Sequence, residues 1–295
     1  MTGPTYTART RPQTQQTLTT LLPLLDAHKL GSDDWTNLER LAYAALDMGR
    51  VDVADKCLTR LLAGFPSSPR VAALRGAILE ASAPDAALKF YADVLELDSG
   101  DATIWKRQIG LLRRLGRVER AVTELCTYLD TFYSDAEAWL ELADLYASCG
   151  HRYTQSLHAL SHAQLLAPQN PFFTLQSAET AYTAGDLPLA LRLFLAVVDM
   201  SDGDDADRER DAPPMGVTVR AWFGVKLCAR RLKVEVDVGK GRGRESASGT
   251  ESPKHAAVLE ELAGERLRVA YSSAGRAGEI AQGRGEVFAW VAASD

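Results

Sequence analysis

Three residue types recur at one interval in this chain. Trp105 and Trp139 lie 34 residues apart, and so do Gly116 and Gly150, and Asp101 and Asp135. An interval of 34 residues is the length of one helix–turn–helix repeat unit. A unit of that size buries its aromatic and aliphatic side chains only when a neighbour stacks on it. The register therefore predicts further units on both sides.

Marks of those units are present. Two periods before Gly116, Gly49 falls one residue from the expected slot, and Ala83 lies near the slot between, where glycine would be usual. Forwards, Gly185 lies 35 residues after Gly150, and Phe173 lies 34 after Trp139. Pro66 and Pro168 stand just beyond second helices, which proline ends because it has no N–H. Small residues mark close helix approach, with Ala42, Gly76 and Ala143 on first helices and Ala54, Ala87 and Ala121 on second helices. Tyr146 adds an aromatic to the fourth unit. The pattern resembles tetratricopeptide repeats. It implies an all-α solenoid of about five helix pairs with a helical C-terminal extension. Gly49, Pro66, Gly76, Trp105, Gly116, Ala121, Trp139, Ala143, Tyr146, Gly150, Phe173 and Gly185 are its expected structural core positions.

In chain order, residues 1–17 are rich in Thr, Gln and Pro and are expected to be a disordered tail. The array runs from 18 to 200 and begins with a short capping helix that Gly31 stops. In the second unit Ser82 is expected to cap a second helix, with Pro84 in its first turn. Ser134 and Glu137 have capping-box spacing at the start of the fourth unit. That unit's second helix, from about Tyr153 to Leu166, reads one residue longer than the standard. Asp186 is the expected cap of the fifth unit's second helix. Residues 201–216 form an acidic insert, read as disordered. A helical extension covers 217–279, broken by a Gly- and Ser-rich disordered stretch at 238–253. The tail at 280–295 is poor in helical signals despite Phe288 and Trp290.

The composition argues against several classes of function. A net charge of −6 gives no electrostatic reason to bind nucleic acid or anionic lipid. The N-terminus has no signal-peptide pattern, and no apolar run approaches the roughly 20 residues that span a bilayer. Cys57, Cys126, Cys149 and Cys228 lack paired spacing and read as reduced thiols, which fits a reducing compartment such as cytosol.

No catalytic residues, cofactor or metal site emerge. His158 and His162 are four apart on one helix, a spacing that can hold zinc, but no third ligand stands nearby in sequence. The Gly239–Arg244 stretch (GKGRGR) lacks the phosphate-loop spacing and the Ser or Thr after lysine. The remaining candidate is the surface lined by the first helices, which in such arrays receives an extended segment or a helix. Glu39, Asp47, Lys106, Arg113 and Asp144 are the exposed polar candidates there. One subclass of these arrays clamps a C-terminal carboxylate with Asn at fixed slots. Those slots here hold Tyr43, Ala77, Gly110 and Asp144, which argues against that use.

Some runs carry more than the generic repeat. They are Ala44–Arg50 (AALDMGR) with Ala54, Cys57-Leu58 and Phe65-Pro66, then Glu137-Ala138-Trp139 with Glu141–Tyr146 (ELADLY). Ala178-Glu179, Tyr182-Thr183, Arg220-Ala221, Phe223-Gly224, Ala270-Tyr271 and Ala274–Arg276 extend them. Together they resemble the family of subunit 2 of the endoplasmic reticulum membrane protein complex, over about residues 30–200 and in pieces over 217–232 and 257–279. The resemblance implies a non-catalytic scaffold on the cytoplasmic face of the endoplasmic reticulum membrane, bound peripherally. Its groove would hold cytosolic segments of membrane-embedded subunits, in a complex that inserts tail-anchored and multi-pass proteins. Ser201–Pro214 and Val238–Pro253 look like insertions relative to the family, and a Gly-containing tail replaces the charged helix expected after Arg276. A repeat adaptor in another soluble assembly, or an enzyme on a repeat scaffold, are the alternatives.

Overall fold

The computed structural model describes residues 10–26, 34–202, 213–242, 255–272 and 283–293. All regular secondary structure among them is α-helical. The chain packs as two units, Met1–Phe132 and Tyr133–Asp295. The first holds α1 (Arg11–Asp26), α2 (Trp35–Asp47), α3 (Val51–Gly64), α4 (Pro69–Ser82), α5 (Pro84–Leu97), α6 (Ala102–Arg114) and α7 (Val118–Thr131). The second holds α8 (Ala136–Ser148), α9 (Tyr153–Leu166), α10 (Pro171–Ala184), α11 (Leu187–Asp202), α12 (Val217–Arg242), α13 (Ala256–Ser272) and α14 (Arg284–Ala292).

The three 34-residue pairs perform three matching jobs. Asp101 and Asp135 are the N-caps of α6 and α8; their carboxylates accept from the backbone N–H groups of Thr103 and Ile104, and of Ala138. Each cap satisfies donors that a helix start leaves without partners. Trp105 and Trp139 sit in the first turns of those helices, and their indole N–H groups donate to the carbonyls of Ser99 and Tyr133 at 3.0 and 2.9 Å. Both rings are half-buried. Gly116 and Gly150 take φ of 71° and 83° in the turns that follow.

The turn chemistry also explains the broken period. After α2, Arg50 N–H reaches back to Ala45 O and Gly49 N–H to Leu46 O. The same pair of bonds closes α6 around Gly116 and α10 around Gly185. This is the Schellman closure, which needs one left-handed residue. After α8 the chain spends two left-handed residues, Gly150 and His151 (φ 55°), and Arg152 N–H reaches Tyr146 O. The extra residue that delays Gly185 thus lies in this turn, whereas α9 has the same 14 residues as α3, α5 and α7. Between α4 and α5 a single residue, Ala83, makes the connection with negative φ, so no glycine is required.

Within the first unit α2 packs on α3, α4 on α5 and α6 on α7, while α3 meets α4 and α5 meets α6. First helices also touch in series, α2 with α4 and α4 with α6, so they form one layer. Leu41, Ala42, Ala45, Ala54, Cys57 and Leu74 are fully buried between the layers. Each buried Leu contributes roughly 1.5–3 kcal/mol relative to exposure. In the second unit the pairs are α8/α9, α10/α11 and α12/α13, with α10 touching α12 and α14 lying on α13. The α12/α13 pair, expected as part of the helical extension, packs as a further repeat-like pair. A Cβ on Gly224 of α12 would come within 2.3 Å of the Phe194 ring of α11. The bare glycine is what allows α12 to approach that closely.

Several boundaries differ from expectation. Helix α1 begins at Arg11, inside the stretch read as a tail. Thr10 and Gln13 have capping-box spacing, and the Gln13 side chain accepts from Thr10 N–H at 3.1 Å. Residues 27–33, with Gly31, lie outside the described residues. Ser82 ends α4 and its hydroxyl donates to Ile78 O; the N-cap of α5 is Ala83, which has no capping side chain. Asp135, one residue beyond Ser134, is the cap of α8. Asp186 does cap α11, accepting from Leu189 N–H at 3.1 Å. The insert at 201–216 begins as the last turn of α11, and residues 203–212 lie outside the described residues. Helix α12 continues to Arg242, past the expected break at 238; glycine costs a helix only about 1 kcal/mol per residue. Residues 243–254 lie outside the described residues. The tail read as 280–295 contains α14, whose Val287, Trp290 and Val291 recur at helical spacing and pack on the second core.

Candidate partner-binding surface

The first helices of the first unit are joined by side chains that cross the layer. Arg70 of α4 pairs with Glu39 of α2 at 2.5 Å. Beside this pair lies a cleft of about 200 Å³ lined by Trp35, Glu39, Phe65, Arg70 and Leu74. Trp35 and Phe65 meet edge to face at 4.8 Å, and Phe65 stays exposed at the cleft.

Glu80 of α4 is the centre of the next group. Its carboxylate accepts from the Tyr91 hydroxyl of α5 at 2.5 Å, from Arg107 of α6 at 3.2 Å and from Arg114 of α6 at 3.2 Å. Burial and the adjacent Glu80 raise the Tyr91 phenol well above its ordinary pKa. The hydroxyl therefore stays protonated and remains a donor. The Arg107 guanidinium also lies over the Tyr43 ring of α2, 5.7 Å from its centroid. Glu80 and Arg107 are both largely buried, so this charge-assisted group is worth more than a surface ion pair. It ties α2, α4, α5 and α6 together.

In the second unit the same kind of tie joins α10 to α12. Arg220 pairs with Glu179 at 2.6 Å, and Arg231 lies over the Tyr182 ring at 4.9 Å. Also on α12, Lys226 is buried, with its ammonium 5.8 Å from the Trp290 ring of α14. Burial pushes its pKa below the ordinary lysine value, while the nearby Glu260 works the other way. Glu260 is itself buried and sits 3.7 Å from Lys233.

The sequence-predicted partner residues are distributed as follows. Glu39 is half-buried and held by Arg70. Asp47 is exposed at the end of α2. Lys106 and Arg113 are exposed on α6, and the Lys106 ammonium is 6.0 Å from the Tyr128 ring. Asp144 is half-buried on α8 in the other unit. Lys106 and Arg113 thus share one helix, two turns apart. Glu80, Arg107 and Arg114 do not stand out in the sequence, and Tyr43 does so only as the occupant of a clamp slot. Glu80 and Arg114 are 34 residues apart, but a repeat interval is visible in sequence only between like residues.

The repeat-core positions are also placed. Phe173 is buried on α10; Ala121 and Ala143 are fully buried on α7 and α8; Tyr146 is half-buried on α8; Pro66 follows α3. His162 is stacked on Trp139, with ring centroids 4.4 Å apart, and His158 is exposed one turn away. Among the described residues no three His, Cys, Asp or Glu side chains cluster as metal ligands. Gly239–Arg242 are helical, and residues 243–244 lie outside the described residues. No helix among the described residues is long and apolar enough to cross a membrane.

Comparison with known proteins agrees with the repeat architecture. The family model of the EMC2 TPR-like repeat domain matches residues 51–189. ER membrane protein complex subunit 2-A of Xenopus laevis is 41% identical over 162 residues, covering 55% of this chain and 54% of that protein. The match therefore spans about half the length of that relative. TPR repeat protein oca3 of Schizosaccharomyces pombe is 37% identical over 235 residues, covering 75% of this chain and 76% of that protein. Among solved structures, the C-terminal part of a TPR repeat-containing protein from Cytophaga hutchinsonii superposes with a TM-score of 0.57 at 12% identity, covering 91% of this chain and 98% of that one. That likeness concerns the fold alone. With 37% identity over three quarters of both chains, and a family model on the repeats themselves, this chain belongs to the tetratricopeptide-repeat family of ER membrane protein complex subunit 2.

Proposed function

We propose that this chain is a non-catalytic scaffold subunit of the endoplasmic reticulum membrane protein complex. It sits peripherally on the cytoplasmic face and holds cytosolic segments of the membrane-embedded subunits. In that role it supports insertion of tail-anchored and multi-pass proteins. The observation that carries this reading is family membership across the repeats. The cross-braced layer of first helices supports it physically. Glu39–Arg70 and the Glu80 group fix the spacing of α2, α4 and α6, and a pre-organised surface loses less entropy on binding a segment.

The test is affinity purification of the tagged chain from gently solubilised membranes, with mass spectrometry of its companions. Several multi-span proteins of the endoplasmic reticulum, recovered in fixed ratio, are the expected result. Recovery of soluble proteins alone would overturn it in favour of an adaptor in another assembly.

A further inference from the structure

The two layers of the first unit carry opposite charge. The first helices α2, α4 and α6 hold seven Arg or Lys residues and three carboxylates. The second helices α3, α5 and α7 hold four basic residues and eight carboxylates. The whole chain is net negative, at −6, so its basic residues are gathered on one layer against the overall trend. Helix α6 carries the extreme: Lys106, Arg107, Arg113 and Arg114, with no acid.

The placement of those four residues is specific. Gly110 lies midway, one turn from Lys106 and Arg107 on one side and one turn from Arg113 and Arg114 on the other. It is exposed, and a Cβ built on it meets nothing within 4 Å. A bare stretch of helix backbone facing open space is therefore flanked by two basic residues on each side, of which Lys106, Arg113 and Arg114 are exposed and Arg107 is largely buried against Glu80. All four cations have partners within the protein. What they offer a visitor is surplus positive potential rather than vacant hydrogen bonds. Glu80, the one carboxylate bonded to α6 from α4, is shared by two of them.

The geometry points to an acidic polypeptide segment as the occupant of this layer, crossing α6 at Gly110 with its carboxylates toward the two cation pairs. This deepens the proposed function by naming the chemistry of the segment held, and it rests on the groove reading. Nucleic acid is the other polyanion such a surface could attract. A phosphate backbone carries a charge at every nucleotide and would run on from this layer over a chain that is net negative, at −6. The surplus is only a few charges, which suits a segment with a few carboxylates.

The test uses the purified full chain and three labelled probes in fluorescence anisotropy at low and moderate salt. They are a 12-residue Glu/Ala peptide, its Lys/Ala counterpart and a 12-nucleotide oligothymidine. The acidic peptide is expected to bind at least about tenfold tighter than the basic one, weakening with salt. Gly110→Glu should reduce that affinity by about tenfold, whereas Gly110→Lys should not. Both substitutions remove a helix glycine in open space, so both variants should melt no lower than the parent. Equal binding of the two peptides, no binding of the acidic one, equal loss in both variants, or tighter binding of the oligonucleotide would each overturn the inference. A failed co-purification with intact acidic-peptide binding would sink complex membership alone; a successful one with no charge discrimination would sink this inference alone.

Discussion

The ring of Tyr91 occupies the space that a side chain on Gly76 would need: a Cβ there would come within 2.1 Å of the ring. Helix α5 lies against the bare backbone of α4, and the Tyr91 hydroxyl reaches over α4 to Glu80. Gly76→Ala must therefore move a fully buried ring and the carboxylate bonded to it. Overpacking of this kind costs about 1–3 kcal/mol, and the gain in helix propensity of at most ~1 kcal/mol does not offset it. Tyr91→Phe keeps the ring and removes the hydroxyl, leaving Glu80 with its two arginines, so it should cost only about 1 kcal/mol. Urea denaturation of both variants checks the order. A Gly76→Ala protein as stable as the parent would contradict the close approach.

Trp139 is braced from two sides, by its N–H bond to the Tyr133 carbonyl and by the His162 ring stacked on its face. The indole is only half-buried, so Trp139→Ala should cost less than a fully buried tryptophan, roughly 2–3 kcal/mol. Trp139→Phe keeps a ring for His162 but loses the N–H donor. It should recover most of that loss in thermal melts. An alanine variant with an unchanged melting temperature would show that the ring is surface decoration.

Burial raises the thiol of Cys57 from 9.0 to about 11 and that of Cys228 to about 12. Both should resist iodoacetamide at neutral pH in the folded chain, while the half-buried Cys126 and Cys149 are alkylated first. Peptide mapping after short exposure reads this directly. The sign for stability follows from linkage. A thiol raised on folding keeps its proton longer in the native state, so its contribution is complete below pH 9 and declines as pH climbs from 9 toward 11. The stability difference between the parent and Cys57→Ala should shrink across that window. A difference that is constant from pH 8 to 11 would argue against the shift.

Legibility in the sequence followed how local each signal was. The repeat was readable because Asp101, Trp105 and Gly116 each do a job confined to one helix end, and Asp135, Trp139 and Gly150 repeat those jobs. Where capping depends on one residue's backbone geometry, neighbours compete: Asp135 took the role read for Ser134, and Ala83 caps α5 without any side chain. The extra residue between Gly150 and Gly185 was visible as a count, yet only the left-handed His151 places it in the turn. The candidate surface was less legible. Glu80, Arg107 and Tyr43 act together across three helices, and no spacing of like residues announces a group assembled from unlike ones. Lys106 and Arg113 are legible as polar residues on a first helix, whereas their relation to Gly110 needs the open space above the helix. Helix α14 is faint in the sequence because its segment holds several glycines, although Val287, Trp290 and Val291 carry the helical interval.

That last helix makes a testable contribution to the second unit. Val291 is buried against Gly264 of α13, and a Cβ on Gly264 would stand 3.3 Å from it. Trp290 lies 5.4 Å from Phe223 of α12 and covers the Lys226 ammonium, and Arg230 donates to the Ala293 carbonyl at 3.0 Å. These contacts cover apolar surface of the α12/α13 pair, as a stacked neighbour does in repeat arrays. A chain ending at Ser272 should lose roughly 2–4 kcal/mol of stability in this unit from the apolar side chains it uncovers. Val291→Ala should lose about 1–2 kcal/mol through the same contact. Hydrogen exchange locates the effect: the amides of α12 and α13 should lose protection in both variants while those of α2 to α5 keep theirs. Unchanged protection in α12 and α13 would mean that α14 rests on the unit without stabilising it.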